Sequence, residues 1–140
     1  MCTGNFRKDE LPICISDEGD LIMAVFEVES WRIAEGKEEK HRTALRQWLE
    51  WVRDHRELFE EWKSVRYFVK KVAGEETGRH FIMWEYDSLA DYEAYKKRRA
   101  DYQGPYEEYK KNDPYYMGLF LHSDMRMEFW EDRERDLWIE

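Results

Sequence analysis

Residues 21–33, LIMAVFEVESWRI, alternate with the period of two that side chains take along a strand. Ile22, Ala24, Phe26 and Val28 fall on one face, and Met23, Val25, Glu27, Glu29 and Trp31 on the other. The first face is wholly apolar and is expected to meet the helices; the second is mixed and carries two carboxylates. After the turn Glu35-Gly36-Lys37, the period lengthens to that of a helix. Leu45, Trp48, Leu49, Val52 and Phe59 make a buried stripe over about Glu38 to Phe59, with Arg46, Glu50, Arg53 and Glu57 opposite. His41 and His55 lie inside the apolar arc, either as ligands or bases at a pocket or as partly buried histidines bonded to the sheet or sitting at helix ends.

A second strand is expected over Trp62 to Ala73 and a third over Arg79 to Asp87, joined by the hairpin-type loop Gly74-Glu75-Glu76-Thr77-Gly78. On the third strand Ile82, Trp84 and Tyr86 should face the helices, and Phe81, Met83 and Glu85 the other side. Ser88, with Asp91 three residues on, reads as the cap of a second helix striped by Leu89, Tyr92, Tyr95, Arg99 and Tyr102. Gly104-Pro105 breaks that helix, a short turn or helix covers about Tyr106 to Lys111, and Asn112-Asp113-Pro114 breaks again. A long fourth strand is expected from Tyr115 to about Trp130, with a bulge near Ser123-Asp124. Residues 1–20 read as an arm pinned by Cys14 between Ile13 and Ile15. Residues 131–140 read as a tail whose Leu137, Trp138 and Ile139 should pack on the body or on a partner subunit.

The element order is that of an α+β, ferredoxin-like βαββαβ domain over residues 21–130. It implies a four-stranded antiparallel sheet ordered four, one, three, two, with two main helices on one face. Two stretches carry a resemblance. Gly36-Lys37 followed by a Trp-bearing helix resembles the start of dimeric α+β barrel proteins. Trp84-Glu85-Tyr86-Asp87-Ser88-Leu89-Ala90-Asp91-Tyr92 resembles their third strand and second helix. The sequence looks most like NIPSNAP-like proteins, in a superfamily that also holds antibiotic-biosynthesis-type monooxygenases and stress-responsive barrel proteins. The resemblance implies a homodimeric barrel in which two sheets face each other and the mixed strand faces look inward. It transfers no catalytic residue, because fold alone does not carry function.

Composition narrows the partners. The chain has 140 residues, a net charge of -9 and 16% aromatic residues, which suits one globular domain and disfavours a nucleic-acid backbone. The run Lys96-Lys97-Arg98-Arg99 reads as a solvated helix face. No stretch is long and apolar enough to cross a membrane and no signal peptide is evident, so a cytoplasmic location is expected. Cys2 and Cys14 are too few for a disulfide framework or a zinc set and are expected to be free thiols. The four Asn and Gln residues amid abundant Glu, Lys and Arg make the composition thermophile-like.

In the barrel plan, Glu27, Glu29, Glu85 and His122 from three neighbouring strands meet inside, with Asp124 and Arg126 near. Such a set would bind a divalent metal, or crowd its carboxylates into a general base with Glu27, Glu85 and His122 as the catalytic residues. The alternative is an interior salt-bridge network with Arg126, Arg66 or Lys70. Eight of the nine tyrosines fall between Tyr86 and Tyr116, as an aromatic pocket or as core packing. Two functions follow: a protein that binds or transforms a small apolar molecule in the barrel interior, oxygenase-like by analogy, or a non-catalytic homodimeric structural or interaction module.

Overall fold

A computed structural model describes residues 23–72, 74–134 and 137–139. The expected arm over 1–20, with Cys2 and Cys14, and the position of Ile22 lie outside the described residues. The chain runs β1 (Val25–Trp31), α1 (Glu38–Asp54), β2 (Ser64–Val69), β3 (His80–Tyr86), α2 (Leu89–Arg98), α3 (Tyr106–Asn112) and β4 (Arg126–Glu131). The four strands form one antiparallel sheet in the order β2-β3-β1-β4, as the pattern predicts. Among the described residues no helix is long and apolar enough to cross a membrane.

The helices cover one face of the sheet. In α1, His41, Ala44, Leu45, Trp48 and Val52 are buried at helical spacing, and Glu38 and Glu39 sit in the first turn, where the helix end is electropositive. The helix ends at Asp54 rather than continuing to Phe59. His55 leaves helical geometry, its ring stacks on Trp51 at 3.9 Å, and its Nδ1 lies 2.7 Å from the Trp51 carbonyl. A 3-10 turn over Arg56–Phe59 then drives Phe59 into the core. Ser88 caps α2 as expected, its Oγ accepting the Asp91 N–H at 3.1 Å.

Two expectations fail, and both move the site. The first is the phase of β1. Val25, Glu27, Glu29 and Trp31 pair with Tyr86, Trp84, Ile82 and His80, so it is the mixed face of β1 that lies under the helices. Phe26 and Val28 pair with Glu85 and Met83 on the opposite, open face, where Phe26, Met83 and Glu85 are partly exposed and Val28 is buried. Trp31 requires this phase: it is buried, stacks on Phe120 at 4.6 Å, and donates its indole N–H to His41 Nε2 at 3.1 Å. The faces of β3 are as predicted, with Ile82, Trp84 and Tyr86 in the core.

The second is the length of the fourth strand. Asp113 accepts the Tyr115 N–H at 2.9 Å and starts a 3-10 turn at Pro114–Tyr116. Gly118 then turns the chain with a φ of +68°, open to glycine and rare for other residues. Phe120 makes an isolated bridge with Ile33, and the expected bulge at Ser123-Asp124 is a 3-10 turn, His122–Asp124. Arg79, fully buried, holds that turn. Its guanidinium donates to Asp124 Oδ2 at 2.9 Å, to the Asp124 carbonyl and to Ser30, fastening the turn to β1. In the tail, Leu137 and Ile139 are exposed on the chain instead of packing on its body.

Candidate functional site

The inverted phase of β1 places Glu27 and Glu29 in a cavity of about 360 Å³ between the sheet and the helices. The indoles of Trp31, Trp48, Trp62 and Trp84 and the rings of Tyr95, Tyr102, Tyr109 and Phe120 wall it. Trp48, Trp62 and Trp84 stand in mutual contact, with ring centroids 6.1–6.2 Å apart. The C-terminal end of α2 brings Lys96 and Arg99 to the cavity, and the chain after α3 brings Asp113, Tyr115 and Tyr116. About half of the aromatic wall therefore comes from the tyrosine-rich stretch, which packs as core and lines the pocket at the same time.

Charge in so apolar a space is costly unless it is paired. Glu27, 3% exposed, has Lys96 Nζ at 3.5 Å from its Oε2. Burial pushes Glu29 up from the ordinary 4.5 to about 7, and the Glu27 carboxylate adds to the rise; Asp113 also raises it, while Lys96 and Arg99 pull the other way. Asp113 is raised by burial and Lys96 lowered by it. Burial, aided by Glu27, pushes the Tyr92 hydroxyl up to about 12. Burial above all, with three carboxylates facing two cations, makes Glu29 the group that keeps its proton into the neutral range. A carboxyl group poised there can take or give a proton at working pH.

Of the residues expected to converge, Glu27, Glu29 and His122 line this one cavity, and Arg126 does too. Glu85 does not. It lies on the open face, where its Oε1 accepts the Ser64 hydroxyl at 2.9 Å. His122 is exposed in a 3-10 turn, its ring tilted against Tyr115 at 4.5 Å between centroids. Asp124 is committed to Arg79 and Arg32, and Arg126 to Glu76. Among the described residues no group of three or more His, Cys, Asp or Glu side chains is placed to hold a metal ion. The donor set expected for a divalent metal is divided between two faces of the sheet.

The run 96–99 is only in part a solvated face: Lys97 and Arg98 are exposed, Lys96 and Arg99 partly buried. Lys96 pairs with Glu27, Arg98 binds Glu61 and the Leu58 carbonyl, and Arg99 lines the cavity. The signal for Arg99 was its place in the aromatic stripe of α2, beside Tyr92, Tyr95 and Tyr102. In the sequence Asp113 reads only as a breaker, and nothing local marks it as a cavity residue. A second polar cluster lies at the far end of the sheet. There His41, held near 4 by burial and then by His80, stands 5.0 Å from the His80 ring, and Tyr67 OH bonds His80 Nδ1. His41 is thus a buried acceptor for Trp31, the structural one of its two predicted roles.

No family model matches the sequence, and no curated protein matches it. Solved structures do. A NIPSNAP family protein from Agrobacterium tumefaciens aligns over 76% of this chain and 90% of its own, with 17% identity and a TM-score of 0.55. An uncharacterised NIPSNAP domain protein from Burkholderia xenovorans aligns over 76% and 91%, with 15% identity and a TM-score of 0.54. A dimeric protein of unknown function and ferredoxin-like fold from Bacteroides fragilis aligns over 77% and 95%, with 13% identity and a TM-score of 0.51. Likeness at such identities is one of fold: this chain has the α+β, ferredoxin-like fold of its structural neighbours, NIPSNAP family proteins among them.

Proposed function

We propose that this protein binds a small, flat, largely apolar molecule in the cavity between the sheet and the helices, and that Glu29 exchanges a proton with it. The observation that carries this reading is a carboxyl group with a pKa of about 7 inside an aromatic-walled cavity of about 360 Å³. The proposed site is on the helix face of the sheet instead of inside a dimer barrel, with Glu29 as the proton-transfer group, Glu27 and Lys96 as an ion pair beside it, and the indoles as walls. Glu85 has no part in it.

The protein is proposed to act as a homodimer through the open sheet face. Phe68 and Trp130 are about half exposed there, and the Bacteroides fragilis neighbour is described as dimeric. The test of the chemical reading has two parts. Small molecules extracted from the purified protein are identified by mass spectrometry, and the protein is then incubated with the recovered molecule in D2O while its C–H signals are followed by NMR. Exchange that Glu29→Gln abolishes is the expected result. An extract without a small molecule, or exchange unaffected by the substitution, would leave the second reading. That reading is a homodimeric interaction module, favoured by the exposed Leu137 and Ile139. Light scattering bears on both, since a monomer at micromolar concentration contradicts the dimer they share.

A further inference from the structure

We infer that the molecule held in this cavity carries a carboxylate, and that Arg99 is the residue that binds it. The inference rests on the cavity reading above and gives it a substrate class: small aromatic or arylalkyl carboxylic acids.

Arg99 closes α2 as its C-cap and lines the cavity. Every other cation on that run has an anionic partner or open solvent: Lys96 has Glu27, Arg98 has Glu61, and Lys97 is exposed. Arg99 has neither. It is only partly exposed, and among the described residues no carboxylate lies within 4.0 Å of it. Its one side-chain hydrogen bond among the described residues goes from Nη1 to the Tyr102 hydroxyl, at 3.1 Å. A guanidinium has five N–H donors in a rigid fork that matches a carboxylate. Four of them remain for a ligand.

The fork is also held in place. Its carbon stands 5.3 Å from the Tyr95 ring and 5.0 Å from the Tyr102 ring. Tyr102 reaches it through a strained turn, in which Asp101 and Tyr102 both adopt left-handed backbone, at φ of 58° and 49°. Such values are rare for residues other than glycine and collect at binding sites. The Tyr116 hydroxyl donates to Tyr102 OH at 3.0 Å and braces the same ring.

The tyrosines argue against the opposite ligand. An organic cation would need free aromatic faces, but Arg99 already covers Tyr95 and Tyr102, and Lys110 lies over Tyr102 and Tyr116. An anion on Arg99 also has a charge consequence. Glu29 faces Glu27 on its own strand, Lys96 and Arg99 from α2, and Asp113 from the segment after α3, with His122 and Arg126 on the same lining. Neutralising Arg99 removes one of the cations that favour the Glu29 carboxylate, so the anion binds together with a proton and its affinity falls as pH rises through about 7.

The experiment titrates the full chain with 3-phenylpropionate, its primary amide and 3-phenylpropylamine at pH 6 and pH 8, following the fluorescence of the cavity tryptophans. The carboxylate is expected to bind tighter than the amide by on the order of tenfold or more, the scale of a hydrogen-bonded charge pair, and to weaken at pH 8. Arg99→Gln should erase that preference, weakening the carboxylate much more than the amide. Arg99→Lys, which keeps the charge but not the fork, should lose most of it. Near-ultraviolet circular dichroism checks that each variant is folded, and the three-probe comparison on the unaltered chain needs no variant. Amide and carboxylate binding equally, the amine binding best, or Arg99→Gln keeping the preference would overturn the anion site while the cavity reading stands. Saturable binding of none of the three would overturn both.

Discussion

The substitution Glu29→Gln isolates the ionisation on which the site depends. In the folded chain Glu29 has a pKa of about 7 against an ordinary 4.5, with burial as the main cause. The fold therefore holds this proton more tightly than the unfolded chain does. Between pH 4.5 and 7 the folded state binds more protons, so this group's contribution makes stability fall as pH rises, and above 7 the full cost is present. At about 1.4 kcal/mol for each tenfold change in proton affinity, that cost is on the order of 3 kcal/mol. His41 works in the opposite sense. Its folded pKa of about 4 lies below the ordinary 6.5, so its contribution falls as pH drops from 6.5 to 4. The two windows overlap, and the wild-type stability curve alone conflates them. The difference between wild type and Glu29→Gln removes the His41 contribution. Urea unfolding at half-unit steps from pH 4.5 to 8 is expected to show the variant gaining about 2–3 kcal/mol on wild type across the window. A difference that stays flat with pH would refute the argument, because it would mean that Glu29 ionises normally in the fold.

Other substitutions test the scaffold. Arg79→Met is expected to cost about 3 kcal/mol, because it removes the buried guanidinium that fastens Asp124 to Ser30, and amide exchange should rise over 122–125. Ser88→Ala should cost about 1 kcal/mol by urea unfolding, through loss of the α2 cap. Asp101→Gly should be neutral or stabilising by about 1 kcal/mol, since glycine adopts the φ of 58° without strain.

The sheet order, the α2 cap and both faces of β3 were legible in the sequence because local signals agreed: alternation, turn residues and a serine cap. The phase of β1 was not. Ala24, Phe26 and Val28 are more apolar than Glu27 and Glu29, and apolar residues are expected under helices. Here the open face also wants apolar residues, and Lys96 and Arg99 on α2 make the carboxylates tolerable beneath it. That compensation is non-local, so a window on β1 cannot reveal it. The fourth strand was overextended for a related reason. Tyr115 to Leu121 carries strand-like residues, but Gly118, the Asp113 cap and the contact of Arg79 with Asp124 bend it into turns. As a result the expected set is divided between the two faces of the sheet. Glu27, Glu29 and His122 share the cavity, Glu85 belongs to the other face, and Arg99 came into view only when the helix was laid over the sheet.

The central claim is that a ligand sits between the sheet and the helices, and a crystal structure of the protein soaked with 3-phenylpropionate tests it most directly. Density for the ring is expected among Trp48, Trp84 and Tyr95, with the carboxylate against Arg99. Density on the open face beside Glu85 and Met83, or a cavity filled only by water at saturating ligand, would contradict it.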